Sequence, residues 1–310
     1  MHMILPCWNI CKKKSLLIKC IAIIEVILGH CGIIECGGSI GVDLFLLISG
    51  YGIYLSYRES EGINYWLKRI YAVYLPYLFC TICFIVFRLV IGKQLTCSQI
   101  IISLIGLDFD LNIDPSMWYS SFIFMMYYLA WSYLKLSDNN KLFGILWCSV
   151  FVFVVTVCGY NYIIWHKGTI AWAYGLTFPI GMLIAEKQKS INIFIPLLTI
   201  IFITTTFLLI NVPHEKILKM LFPLVTSLSM FFAIGFTNTD RLYGMSLIVI
   251  IGKQSFYMYL NEALILGLVS NFVKHGGYTH CVFSICFSFY LAIIMNTSYS
   301  LIKNKCKLLF

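Results

Sequence analysis

Residues 18–57 read IKCIAIIEVILGHCGIIECGGSIGVDLFLLISGYGIYLSY, two apolar runs that between them hold Lys19, Glu25, His30 and Asp43. A membrane helix needs about 20 mainly apolar residues, and these runs approach that length. A charged side chain at membrane depth costs about 2.5–3.5 kcal/mol on insertion scales unless it meets a cavity or a partner. Four ionisable groups within these two apolar runs need a reason, and chemistry is the leading one.

The rest of the chain has the same character. Of its 310 residues, 60% are hydrophobic and 11% charged. Mean hydropathy is +0.88. A soluble domain carries about 25% charged residues, so this composition indicates a membrane protein. Apolar windows mark about ten spans, near 15–34, 41–57, 70–91, 117–136, 142–160, 169–186, 191–210, 216–236, 253–273 and 281–303. The stretches 98–107 and 243–252 are too short to span alone and suit re-entrant or interfacial pieces. The expected fold is an all-α polytopic transmembrane helix bundle.

Alternation from a cytosolic N-terminus puts most of the 22 Lys and Arg residues on inner segments, Lys12, Lys68, Arg69 and Lys303 among them. That asymmetry supports both termini in the cytosol and a multi-pass protein of the inner, cytoplasmic membrane. The net charge of +9 then reports topology. Its scatter over many loops, without a basic stripe, argues against nucleic acid as a partner. The expected organisation is a basic cytosolic leader at 1–14, one membrane domain at 15–303 and a cytosolic tail at 304–310. The first span is long, holds Lys19 and Glu25, and has no small-residue cleavage site after it, so it reads as a retained helix. Thirteen cysteines sit mostly in or beside spans, where a thiol acts as a small apolar residue. The pair Cys80 and Cys83 has no companion pair, so neither a metal site nor a disulfide framework is expected.

On a helix, Lys19 and His30 are 11 positions apart, which brings them within roughly 20° of one face and separates them by roughly 16 Å of rise. Such a face looks into the bundle or a water-filled cavity. Glu25 is turned roughly 120–140° away from both and must find a partner on another helix, bind a proton or meet water. His30 suits a general base and equally an interhelical polar contact. Lys19 suits an anion or snorkelling to headgroups. Asp43, two residues into the expected second span, suits orientation of His30 or capping of its own helix. Ser49 and Gly50 suit close helix packing. Lys68 and Arg69 suit an anionic cofactor's phosphates or the positive-inside rule.

Four segments together resemble the acyltransferase 3 family of integral membrane acyltransferases. KCIAIIEVILGH matches its basic residue and His at Lys19 and His30. GVDLFLLISG matches its Gly-Val-Asp to Ser-Gly signature at Gly41, Val42, Asp43, Phe45, Ser49 and Gly50. WLKRIYAVYLPYL places Arg69 and Pro76 in register, and MWYSSFIFMMYYL resembles its Trp-Phe motif at Trp118. FPIGMLIAEK around Pro179 and Gly181, and IGKQSFYMYLNEAL around Ser255 and Tyr259, fit weaker late patterns. The second Arg of the family's Arg-x-x-Arg pair falls on Ala72, and a late His is replaced by Glu262.

The resemblance implies transfer of an acyl group, most often acetyl from acetyl-CoA or another acyl-CoA, to a hydroxyl of a glycan or lipid-linked saccharide. It implies His30 and Asp43 as the catalytic pair. Lys19, Lys68 and Arg69 would take the CoA head, and Ser49 and Trp118 would meet substrate; Trp118 equally suits an interfacial anchor. The acidic loop LDFDLNIDPS, residues 107–116, is a further candidate for meeting the glycan. No metal is implied. Two other classes fit buried charge in such a bundle: a transporter or flippase of a lipid-linked glycan or small solute, and an assembly partner in an envelope complex. Membrane lipids are partners in every case.

Overall fold

Apolar chain in hydrocarbon must satisfy its own backbone N–H and C=O groups, and a helix does so within one segment. A computed structural model of the chain describes residues 10–59, 63–108, 113, 116–165, 174–188, 216–237 and 246–307, and no strand occurs among them. The helices are α1 (Lys12–His30), α2 (Gly37–Glu59), α3 (Ile63–Arg69), α4 (Leu75–Val90), α5 (Cys97–Leu104), α6 (Met117–Asn139), α7 (Lys141–Trp165), α8 (Thr177–Glu186), α9 (Lys216–Phe236), α10 (Ser246–Val269) and α11 (Gly277–Lys307). Three helical stretches among the described residues are long and apolar enough to cross a membrane: Gly37–Glu59, Asn64–Val90 and Gly277–Asn304. The all-α class holds. The span expected at 191–210 lies outside the described residues.

Several boundaries differ from the window reading. The short stretch at 243–252 is no separate piece, because its described part forms the first turns of α10. The second half of the loop 58–69 is helix α3. It continues into α4 through a π-helical turn at Ile70–Tyr74, where the Leu75 N–H donates to the Ile70 carbonyl. Pro76 explains that turn: its ring crowds the carbonyl four residues back, and it has no N–H to give. The stretch at 98–107 becomes α5, started by a capping box between Thr96 and Gln99. The helix α11 continues to Lys307, into the expected tail.

The chain gathers into two compact units, each discontinuous in sequence. One is drawn from the chain up to Arg58 and from Leu129–Lys253, and the other from Glu59–Tyr128 and from Gln254 onward.

In the first unit α2 packs backbone to backbone. A Cβ added at Gly41 would run into the Ala22 carbonyl of α1, one at Gly50 into the Phe178 carbonyl of α8, and one at Gly181 into the Leu47 carbonyl of α2. Small residues permit such approaches where van der Waals contact is the main force between helices. Lys14, buried in the first turn of α1, donates to the Gly235 carbonyl at 2.6 Å. This closes the C-terminal end of α9, a position that favours a cation. The last of the leader's basic residues is thus part of the packed unit.

In the second unit α5 is fastened to α4 by two phenols. Tyr77 donates to the Ser103 carbonyl at 2.6 Å, which also accepts the Gly106 N–H at 3.2 Å, and Tyr74 donates to the Leu104 carbonyl at 3.0 Å; both carbonyls lie in the last turn of α5, where intrahelical donors run out. The Ser103 hydroxyl in turn donates to Asp108 at 2.7 Å.

Gly50→Ala lowers the stability of the detergent-purified protein by about 1–3 kcal/mol, the usual cost of overpacking. Gly52→Ala, whose added Cβ meets nothing within 4 Å, does not lower it. Paired thermal melts check the contrast.

Candidate active site

His30 is the last residue of α1, and Gly37 opens α2 after a short turn. A Cβ on Gly29 would strike the Gly38 backbone, so its absence brings the two helix ends together. The His30 ring then lies against the first turn of α2, with Nε2 3.8 Å from where a Cβ on Gly38 would sit. The first N–H groups of a helix have no intrahelical acceptor and favour negative charge. An exposed imidazole beside such a helix start is equipped for proton transfer next to a developing oxyanion.

Glu25 reaches the same place. Its Oε2 lies 3.2 Å from the position of a Cβ on Gly37, and that buried oxygen has no hydrogen-bond partner among the described residues. The helical wheel turns Glu25 away from His30, yet both side chains flank the glycine pair. Two consecutive residues without side chains let the start of α2 lie across α1. Lys19, half-buried, lies earlier on α1. Its separation from His30 therefore follows helical rise, roughly 16 Å.

Asp43 is 2% exposed and accepts a 2.6 Å hydrogen bond from the hydroxyl of Thr177, the first residue of α8. The expected contact with His30 is not formed: no hydrogen bond or ion pair joins them among the described residues. Five residues separate Asp43 from Gly38, roughly 7.5 Å of rise along α2. The capping alternative fails for a related reason. The helix begins at Gly37, so Asp43 lies beyond the first turn, where the free N–H groups are. Nearer that start, the Ser39 hydroxyl pairs with the Tyr174 hydroxyl at 2.9 Å. Ser49 is half-buried one residue before Gly50, against whose backbone α8 packs.

The remaining candidates belong to the second unit. Arg69 closes α3 just before the π-helical turn, with its guanidinium 5.9 Å from the Tyr65 ring centre and 5.8 Å from that of Tyr127. Ring faces hold a cation in position without neutralising it. Lys68 is exposed beside it, and Ala72, at the broken second Arg position, is also exposed. Trp118, in the first turn of α6, is half-buried and meets Tyr119 edge-on at 6.1 Å. Asp108 does not present itself to a glycan. It is fully buried and accepts from the Ser103 hydroxyl and from the Ile113 N–H at 3.3 Å. Asp110 and Asp114 lie outside the described residues. Glu262 is buried at 1% exposure in α10.

Thr177, Gly37, Gly38, Tyr65 and Tyr127 are contributors that motif reading passes over. The glycine pair was visible in the sequence. Nothing local pairs Thr177 with a residue 134 positions away.

A family model described as an acyltransferase domain matches residues 17–297, most of the chain. No curated protein and no solved structure matches it.

Thr177→Val removes the donor to Asp43 and leaves a buried carboxyl unsatisfied, a loss of about 1–3 kcal/mol. Thr177→Ser keeps the hydroxyl and most of the stability. Melting temperatures of the two variants in detergent test the assignment.

Proposed function

We propose, because the chain belongs to the acyltransferase 3 family and is therefore an acyl-transferring enzyme of the membrane, that it moves an acetyl or other acyl group from acyl-CoA to a hydroxyl of a surface or envelope glycan. The observation that carries the site assignment is the His30 ring nitrogen against the glycine start of α2.

A hydroxyl is a poor nucleophile at neutral pH. His30 takes its proton as the oxygen attacks the thioester carbonyl, and the Gly38 and Ser39 N–H groups in the first turn of α2 stabilise the oxyanion of the tetrahedral intermediate; the Gly37 N–H is taken by the Ile34 carbonyl. The carbonyl re-forms, the C–S bond breaks, and the imidazolium returns its proton to the leaving thiolate. The products are an acylated hydroxyl and free CoA thiol. No metal enters this route.

Asp43 acts at one remove in this reading. Through Thr177 it fixes α2 against α8, and so holds the helix start that faces His30. Arg69, Lys68 and Lys19 are assigned to the phosphates of the donor. Guanidinium suits phosphate because it presents several N–H donors in one plane, and the flanking tyrosines at Arg69 favour one orientation of that plane. With the pair broken at Ala72, Lys68 supplies the second cation. Ser49 and Trp118 are assigned to substrate, and a lipid-linked saccharide is an acceptor of suitable class. The reading includes about ten spans in the inner membrane, with both termini cytosolic, for which the distribution of Lys and Arg is the support.

In membranes given labelled acetyl-CoA and surface glycan, His30→Ala lowers label transfer by about 10²–10⁴-fold; equal labelling from variant and wild type would remove His30 as the base. Arg69→Ala raises the acetyl-CoA concentration needed for half-maximal transfer while protein level and insertion stay unchanged. A variant that merely fails to insert would make Arg69 a topology signal.

A further inference from the structure

Within the second unit, α4 and α10 leave between them a cavity of about 430 Å³, within the about 300–1,000 Å³ range of ligand sites. One wall is a single face of α4, formed by Phe84, Phe87, Arg88 and Ile91. The other is α10, from Ala263 and Leu264 to Gly267 and Leu268. The groove is open at Gly267, where an added Cβ would meet nothing within 4 Å.

The walls are apolar except at one end, where Arg88 and Lys93 stand together. Gly92, with φ +78°, turns the chain out of α4, and the Lys93 N–H bonds back to the Arg88 carbonyl at 2.9 Å. That turn returns Lys93 to the end of the groove. Neither cation forms an ion pair among the described residues. The end of α4 offers only about half a negative charge from its helix dipole, against two full positive charges. An apolar trough closed by two cations that pair with no carboxylate among the described residues is complementary to a molecule with a hydrocarbon chain and an anionic head.

We propose that this groove binds an anionic phospholipid of the surrounding bilayer, with an acyl chain along Phe84, Phe87 and Gly267 and the phosphate at Arg88 and Lys93. The site does not involve the residues assigned to acyl transfer, and its test reads lipid retention and not catalysis.

The protein is reconstituted in nanodiscs of phosphatidylcholine containing phosphatidylglycerol, released into neutral detergent and weighed by native mass spectrometry, with circular dichroism to establish that each variant is folded. Wild type retains phosphatidylglycerol over phosphatidylcholine. Arg88→Gln combined with Lys93→Gln weakens retention about thirtyfold, from the usual attraction of two basic residues to an anionic membrane surface. Gly267→Phe fills the trough and removes the lipid without altering a charge; it decides the matter alone should the double variant not fold. Equal retention by wild type and Gly267→Phe would overturn the proposal, as would equal retention of the two lipids by wild type. Displacement of phosphatidylglycerol by added polyprenyl phosphate would overturn the assignment of the occupant.

Discussion

Everything in the first unit depends on how closely α2 approaches its neighbours. Gly41 lies against the Ala22 carbonyl, Gly50 against that of Phe178, and Gly181 of α8 against that of Leu47. In hydrocarbon the lipid is as apolar as the side chains, so helices gain little by hiding leucine from it and much by close contact. A single added methyl at these points would push the axes apart. The consequences would reach the polar groups, because the Thr177–Asp43 hydrogen bond spans only 2.6 Å and would be lost with a small displacement. The His30 ring depends on the same geometry through Gly29 and Gly38. The glycines thus set the distances at which the site's polar atoms meet.

This dependence also explains what could be read from the chain. Composition was enough for an all-helical membrane protein, and helical periodicity placed Lys19 and His30 on one helix. The apolar window that marks the second span starts at residue 41. In apolar surroundings a helix satisfies the backbone better than a turn does, and the helix begins at Gly37. That shift moved Asp43 out of the first turn and out of reach of both roles first weighed for it. Glu25 is turned toward another helix, as the wheel requires, but which part of that helix it meets is not legible in the sequence. A helical wheel describes one helix, and it cannot register that a neighbour without side chains lies across it. Thr177 and Asp43 meet only through tertiary packing, which no local spacing rule encodes.

Around Arg69 the legible and the illegible meet within a few residues. Pro76 was visible, and so was the basic pair before it. How the helix accommodates proline was not. Once the Leu75 N–H turns to Ile70 and Pro76 has none to offer, the Tyr71 carbonyl is left without a donor from its own helix. The Tyr299 hydroxyl, far away in sequence, lies 3.5 Å from it, a long contact at the limit for a hydrogen bond. A π-helical turn is a local irregularity that recurs at functional sites. Here it directly follows the cation that two tyrosine rings hold.

The buried polar groups divide by how completely they are satisfied. Lys14 serves the end of α9, Asp43 receives Thr177, and Asp108 closes its own loop; these are the marks of groups whose work is to fix structure. Glu25 differs, since its buried Oε2 has no hydrogen-bond partner among the described residues while its side chain lies at the opening of α2, beside His30. A carboxyl in that position is costly unless it holds a proton or receives a donor during the working cycle. The family pattern assigns it nothing, and its place argues for a link to the chemistry that its position on the wheel did not suggest. An acidic group beside Gly37 and an imidazole beside Gly38 flank the first turn of α2, where the Gly38 and Ser39 N–H groups have no acceptor among the described residues. The first turn of α2 is therefore the physical centre of the candidate site.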